Sequence, residues 1–135
     1  MAVMRERPYA SSRFLVNLGA GDSRTASAGF CEVVLPAMQV PEGDPFVVPE
    51  YLVLRRGFVG ALDLHAWFGK ASRGKAPKRR TVRIELLDDD GERVVATWRF
   101  RNVRPVSLSY SPLRAMEPAV LIETVELAFD RVELL

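Results

Sequence analysis

The run from Gly69 to Arg83, GKASRGKAPKRRTVR, gathers Lys70, Arg73, Lys75, Lys78, Arg79, Arg80 and Arg83 with no acid among them. Such a density of cations could neutralise phosphates or meet an acidic protein surface. A binder of single strands needs aromatic platforms between its cations, and none stands from Lys70 to Arg83. Gly74 and Pro77 within the run are the marks of a connector between two elements. The whole chain carries a formal charge of only +2, from 19 basic and 17 acidic residues. The basic run is therefore a local excess, which leaves a solvated loop, a contact for an acidic protein surface, or a nucleic-acid contact.

The other residues that could do chemistry form no constellation. His65 stands one position from the Leu64 stripe of a short helical pattern, where a partly exposed histidine needs no ligand role. Cys31 lies mid-strand between Phe30 and Glu32, and no nucleophile signature surrounds either it or His65. As the only cysteine it allows no intrachain disulfide. The acidic run Asp88, Asp89, Asp90 before Gly91 lacks the spread of oxygen ligands that a calcium loop requires, and a hairpin turn accounts for it. The GAG at Gly19 has neither the strand and helix context of a dinucleotide site nor a P-loop lysine. Trp67 and Trp98 are core residues by spacing. No catalytic, cofactor-binding or metal-ligating residue is assigned.

The elements that must carry these residues are mostly strands. The length of 135 residues, 48% hydrophobic and 27% charged, describes one soluble folded domain. RFLVNL alternates from Arg13, with Phe14, Val16 and Leu18 on one face. A second strand, FCEVVLPAMQV, answers it, and Pro36 and Pro41 make its far end an edge or a loop. An extended proline-rich connection over 36–50 leads to a third strand, YLVLRRGF, ending at Gly57 or Gly60. The spacing of Ala61, Leu64, Trp67, Phe68 and Ala71 predicts the one helix, over 61–72, limited by Gly69 and Gly74. A hairpin over 81–101 follows, with Val82, Ile84 and Leu86 facing inward with Val94, Ala96, Trp98 and Phe100. A last long strand, AVLIETVELAFDRVEL, is centred on 119–130. About six strands and one helix result, with no internal repeat.

Glu123 and Glu126 point to opposite faces of that last strand, and either is expensive to bury unpaired. Arg99 and Arg101 on the hairpin are their expected partners, across strands or across subunits. A sheet with charges on both faces is easier to satisfy within an oligomer. The N-terminal arm, 1–12, has charge but no apolar core of a secretory signal, and nowhere do about 18 apolar residues run together. The chain is accordingly expected to be made in the bacterial cytoplasm, without a signal peptide and without membrane insertion of its own.

RPYASSRFLVNL, AGFCEV, LLDDDGERVVATWRFRNVRPV and VLIETVELAFDRVE, taken together and in order, resemble the tail tube proteins of contractile-tailed phages and related contractile injection particles. The hairpin is the most specific piece. The resemblance implies a mainly β fold: a small antiparallel β-barrel or sandwich with one flanking helix, like the tube-forming protein of type VI secretion. It implies a structural subunit, not an enzyme, that pairs with itself in hexameric rings stacked into a hollow tube. Its other partners would be the sheath protein, baseplate or spike proteins at one end, and cargo, DNA or effector protein, in the lumen. The mature site would be a phage virion, a tailocin or an injection particle.

Typical members carry a longer charged, glycine-rich segment before a strand ending in a K-R-G pattern. Here VVLPAMQVPEGDPFVVPEYLVLRRG retains only L-x-L-R-R-G, which keeps a specialised initiator or terminal ring as the alternative to the main tube. Under the resemblance, Val40, Glu42, Asp44, Arg55, Arg56, Lys75, Lys78, Arg79, Arg80, Asp88, Asp89 and Asp90 are the candidate subunit or ring interface. Arg99, Arg101, Glu123 and Glu126 are the candidate lumen or inter-strand charges. The basic run is expected to face acids such as Asp88 to Asp90 on a neighbour. The residues alone also leave open a small nucleic-acid-binding β-barrel and an enzyme of unrecognised type.

Overall fold

The computed structural model describes residues 1–19, 29–40, 43, 50–74 and 79–135. Its strands are β1 (Phe14–Asn17), β2 (Phe30–Val34), β3 (Leu52–Gly57), β4 (Arg80–Leu87), β5 (Val94–Tyr110), β6 (Ile122–Ala128) and β7 (Arg131–Leu134), with one helix, α1 (Asp63–Ser72), between β3 and β4. The strands pair in the order β1-β4-β5-β6-β3-β2, with β7 also on β5. The determined pairings of β1 with β4, β3 with β6, and β5 with both β4 and β7 are antiparallel. The mainly β reading with one helix stands.

The chain divides into two compact units: residues 1–30, 77–104 and 129–135 in one, and 31–76 and 105–128 in the other. The first holds β1, β4, β7 and the N-terminal part of β5. Its buried side chains are Val16, Leu18, Val82, Ile84, Leu87, Val95, Phe100 and Val103. Alternation explains the first strand, in which Val16 is buried and Leu15 exposed.

In the hairpin the alternation breaks twice. Leu86 pairs with Ala96 but Leu87 with Val94, so Val95 is an extra residue on β5. The bulge turns Leu87 and Val95 inward in place of the expected Leu86 and Val94, which is 39% exposed. A second irregularity sets Val82 against Phe100 but Arg80 against Val103, and Asn102 between them takes a φ of 56°. Phe100, fully buried and edge-on to Phe129 at 5.0 Å, is the anchor of this unit, while Trp98, expected in the core, is half-buried. The turn itself is as the acidic run suggests: Gly91 has a φ of 74°, and Asp90 Oδ1 accepts the amides of Glu92 and Arg93.

The second unit is built from β2 beyond Phe30, β3, α1, the C-terminal part of β5, and β6. Leu52 lies opposite Leu127, Leu54 opposite Val125 and Arg56 opposite Glu123, and all six are buried. Leu64 and Trp67 supply the helix's buried face. Asp63 in its first turn and Lys70 in its last suit the helix dipole. Gly69 lies inside the helix, which continues to Ser72, and Gly74 with a φ of 69° marks where it stops.

Strand β2 stops before Pro36, as proline there requires. The expected last strand is two strands: β6 and β7 are separated at Phe129 and Asp130 and lie in different units. The turn after Gly19 and most of the 36–50 connection lie outside the described residues.

Phe100→Ala is expected to lower folding stability by about 3–5 kcal/mol, as for a buried aromatic emptied from a close-packed core. Trp98→Ala should cost less. Urea denaturation of both variants measures the order, and a larger loss at Trp98 would show that the tryptophan is the anchor after all.

Candidate functional site

The charged residues fall into separate groups, each explained by the strands that carry it. Arg56 and Glu123 are the third rung of the buried ladder begun by Leu52–Leu127 and Leu54–Val125. The Arg56 Nε donates to Glu123 Oε1 at 2.7 Å, and the Tyr110 hydroxyl donates to Glu123 Oε2 at 3.1 Å. Arg56 also reaches Asp63, at the start of α1, with Nη1 at 3.3 Å from Oδ2 and Nη2 against Oδ1. Tyr110 meets Phe58 edge to face at 5.9 Å.

Burial alone would raise the Asp63 carboxyl, but the hydrogen bonds and charge of Arg56 outweigh it and hold the group below its ordinary range. Burial, then the Glu123 carboxylate, push the Tyr110 hydroxyl up, so it stays a donor. Arg56, expected at a subunit or ring interface, is instead 3% exposed, with its guanidinium bound to carboxylates of its own chain. Glu123, expected with Arg99 or Arg101, is held by Arg56 and Tyr110 because β6 pairs with β3 at that register.

Arg99 and Arg101 meet a different acid. Antiparallel pairing sets Arg99 opposite Glu133 and Arg101 opposite Arg131. Arg99 Nη2 donates to Glu133 Oε2 at 2.8 Å and Arg101 Nε to Oε1 at 2.6 Å. Those two arginines depress the Glu133 carboxyl from 4.5 to about 2. Asp130 is bound by Arg104 at 2.9 Å, Asn102 at 3.1 Å and Arg79 at 3.5 Å, and these contacts also hold it low. Glu126, opposite Val53, lies half-buried on the other face of β6 from Glu123.

The acidic turn has an intrachain partner in the N-terminal arm. Arg5 Nη1 donates to Asp88 Oδ1 at 3.0 Å and to Asp89 Oδ2 at 3.1 Å, and Arg7 approaches Asp89 at 3.8 Å. The Arg5 guanidinium also lies 3.9 Å from the centre of the Tyr9 ring, and the Val3 amide donates to the Val95 carbonyl. Arg5 first, through its hydrogen bond and charge, lowers the Asp89 carboxyl. Asp88 to Asp90, expected to face a neighbour's basic loop, thus already have within-chain contacts, though Asp89 remains 54% exposed.

Arg55 pairs with Glu32 across β2 and β3, and the Cys31 thiol donates to the Arg55 carbonyl at 3.4 Å. Val40 is 83% exposed, and Arg80 opens β4 half-buried. Glu42, Asp44, Lys75 and Lys78 lie outside the described residues. His65 is exposed on α1. Among the described residues, no group of three or more His, Cys, Asp and Glu could hold a metal ion. No described helix is long and apolar enough to cross a membrane.

Sequence reasoning missed Asp63, Tyr110, Asp130, Glu133 and Arg5 as partners. One signal was available: L-x-L-x-R in β3 and E-x-V-x-L in β6 place opposite charges at the same rung once the strands run antiparallel.

Residues 48–133 match the family model described as T4-like virus tail tube protein gp19. Among solved structures, a chain of the sheath-tube complex of an extracellular contractile injection system, PVC, in its extended state is 23% identical. That alignment covers 96% of this chain and 93% of that one, with a TM-score of 0.75. A chain of the tube-terminating cap of the anti-feeding prophage is 21% identical over 100% of this chain and 95% of the other, with a TM-score of 0.74. Hcp1 from Flavobacterium johnsoniae is 12% identical, covering 90% and 93%, with a TM-score of 0.57. These likenesses are of fold. No curated protein matches by sequence.

Two outcomes are expected from the charged groups. Arg56→Met leaves Glu123 buried without its cation and should cost about 3–5 kcal/mol, whereas Arg56→Met with Glu123→Leu should recover most of that loss. Chemical denaturation of the single and double variants closes the cycle, and equal losses in both would remove the pair from the argument. Glu133, with its native pKa below its unfolded one, contributes stability that is present above about 4.5 and lost as pH falls toward about 2. Urea midpoints of the parent and Glu133→Gln, compared from pH 7 to pH 2, should therefore converge on acidification.

Proposed function

The chain belongs to the T4-like virus tail tube protein gp19 family, and from that membership we propose that it is a structural subunit of the inner tube of a contractile phage tail or phage-like injection particle. The match across β3, α1, β4, β5, β6 and nearly all of β7 carries the reading, because it takes in both halves of the strand framework. Subunits assemble as homo-hexameric rings, and the rings stack into a hollow conduit. A sheath surrounds the tube, a baseplate or spike closes one end, and DNA or effector protein passes through the bore. The role is mechanical and involves no catalysis, and the working location is the particle itself.

The distribution of apolar surface supports assembly. Val34 at the end of β2 and Leu35, Met38 and Val40 beyond it are exposed, as are Phe58, Val59 and Leu62 between β3 and α1, and Leu113, Met116 and Val120 between β5 and β6. Clusters of this kind mark surfaces that a partner covers. Val40, Glu42, Asp44, Arg55, Lys75, Lys78, Arg79 and Arg80 remain the proposed interface, with Asp89 and Asp90 as the acids that a neighbouring subunit can still reach.

A second reading is a specialised ring that starts or ends the tube. The family match begins at residue 48, leaving the proline-bearing segment before it outside the matched region. The fold likeness to a tube-terminating cap agrees with this version as well as with the main tube.

Size-exclusion chromatography with light scattering, followed by negative-stain microscopy of the purified protein, tests the proposal. Rings or tubes are expected, and isolated rings that refuse to stack would favour the terminal version. A monomer that retards a labelled oligonucleotide in a salt-dependent way would overturn both in favour of a nucleic-acid-binding barrel.

A further inference from the structure

The first unit carries an arginine-rich sheet face that within-chain pairing leaves in positive excess. Cross-strand register fixes which residues share it: Asn17, Arg83, Arg99 and Glu133 form one row across β1, β4, β5 and β7. Leu15, Glu85 and Thr97 form the next, and Arg101 with Arg131 continues the face on the other side. The opposite face holds the buried Val16, Val82, Ile84 and Phe100. Arg79 and Arg104 gather at Asp130, which follows Phe129 just before β7. Six arginines thus stand among three carboxylates, Glu85, Asp130 and Glu133.

Five of the six arginines remain accessible. Arg131 is 74% exposed, Arg79 59%, Arg101 46% and Arg104 36%, and Arg83 is exposed as well. Each guanidinium offers five N–H donors, and Glu133 takes one from Arg99 and one from Arg101. Arg99, 23% exposed and with its Nε buried, is held at Glu133, so the donors open to a partner are those of the other five arginines.

We propose that this face is a docking surface for an acidic polypeptide segment bound through its carboxylates. The chemistry on the face favours that partner over nucleic acid. Glu133 and Asp130 are already gripped by two or more arginines each, so carboxylate recognition is the geometry the side chains adopt. Three fixed acids among the arginines would repel the unbroken charge of a phosphodiester chain, while a peptide can place its acids between them. None of the residues in these rows is aromatic, so bases would find nothing to stack on. Every cation is arginine, the side chain whose planar fork matches a carboxylate. The inference rests on this face alone and stands apart from the tube reading.

The test uses the full chain, a fluorescein-labelled deca-glutamate peptide and a labelled deca-thymidine oligonucleotide, followed by anisotropy at low and moderate salt. The peptide is expected to bind, to weaken as salt rises, and to bind more tightly than the oligonucleotide. Arg83→Glu with Arg131→Glu should weaken the peptide about tenfold or more by like-charge repulsion while leaving the Arg99–Glu133–Arg101 group in place. Thermal unfolding checks that this variant folds, and Arg83→Gln with Arg131→Gln replaces it if it does not, with a smaller loss in the same direction expected. No peptide binding, binding unchanged in a folded variant, or an oligonucleotide bound as tightly as the peptide would each overturn the proposal.

Discussion

A charged pair in a place built for leucines governs the second unit. Arg56 and Glu123 occupy a buried rung of the β3–β6 ladder whose other buried rungs, Leu52–Leu127 and Leu54–Val125, are aliphatic, and Glu123 has no exposed surface. Taking two ions out of water costs several kcal/mol each, and their attraction offsets that only when the remaining donors and acceptors are also met. Both conditions are fulfilled within the unit: Tyr110 takes the second Glu123 oxygen, and Asp63 takes the far side of the guanidinium. Four segments, β3, β6, the end of β5 and the start of α1, are thereby held to one arrangement. A slip of one residue in either strand would turn one of the ions to the other face and leave its partner buried and unpaired. An apolar rung would tolerate such a slip better, so the pair specifies register more than it adds stability.

The first unit solves its register differently, through irregularity. β5 runs seventeen residues and holds three neighbours along its length, β4 and β7 on its N-terminal part and β6 further on. A strict alternation over that length would present one unvarying face. The extra residue at Val95 and the left-handed Asn102 each reset which side chains point inward, and the buried positions become Val95, Phe100 and Val103. Asn102 also ties its side chain to Asp130, so the second bulge positions the acid to which Arg79 and Arg104 bind.

These two solutions explain what could be read from the sequence. β1, β3 and α1 were legible because their apolar positions follow a single period from end to end, and the acidic turn was legible because Asp90 and Gly91 are local turn chemistry. Leu86 and Val94 were misplaced because a bulge leaves no mark in hydrophobic alternation, whereas Trp98 keeps its expected face opposite Ile84 and is only less buried there. The break between β6 and β7 was hidden because apolar residues recur on both sides of Asp130 and Arg131, in ELAF and VEL, with no glycine or proline between them. The partners of Arg56, Arg99 and Arg101 depend on which strands are neighbours, which periodicity along one strand does not contain. Glu133 is invisible as a partner for the same reason: in the sequence its strand is indistinguishable from the tail of β6.

The directions in which the acids are pushed bear on function. Asp63, Asp89, Asp90, Asp130 and Glu133 are all held below their ordinary range, the first, second, fourth and fifth chiefly by arginine and Asp90 by the turn amides it accepts. A carboxyl that exchanges protons near neutrality must be raised toward 7 instead, by burial in apolar surroundings or by a second acid. Tyr110 is pushed up, away from neutrality, and so keeps its proton. Among the described residues, the resolved shifts therefore lock charge in place and leave these groups in one protonation state near neutral pH. Fixed charges of that kind serve pairing and recognition at a constant potential, which is what the proposed tube subunit would require.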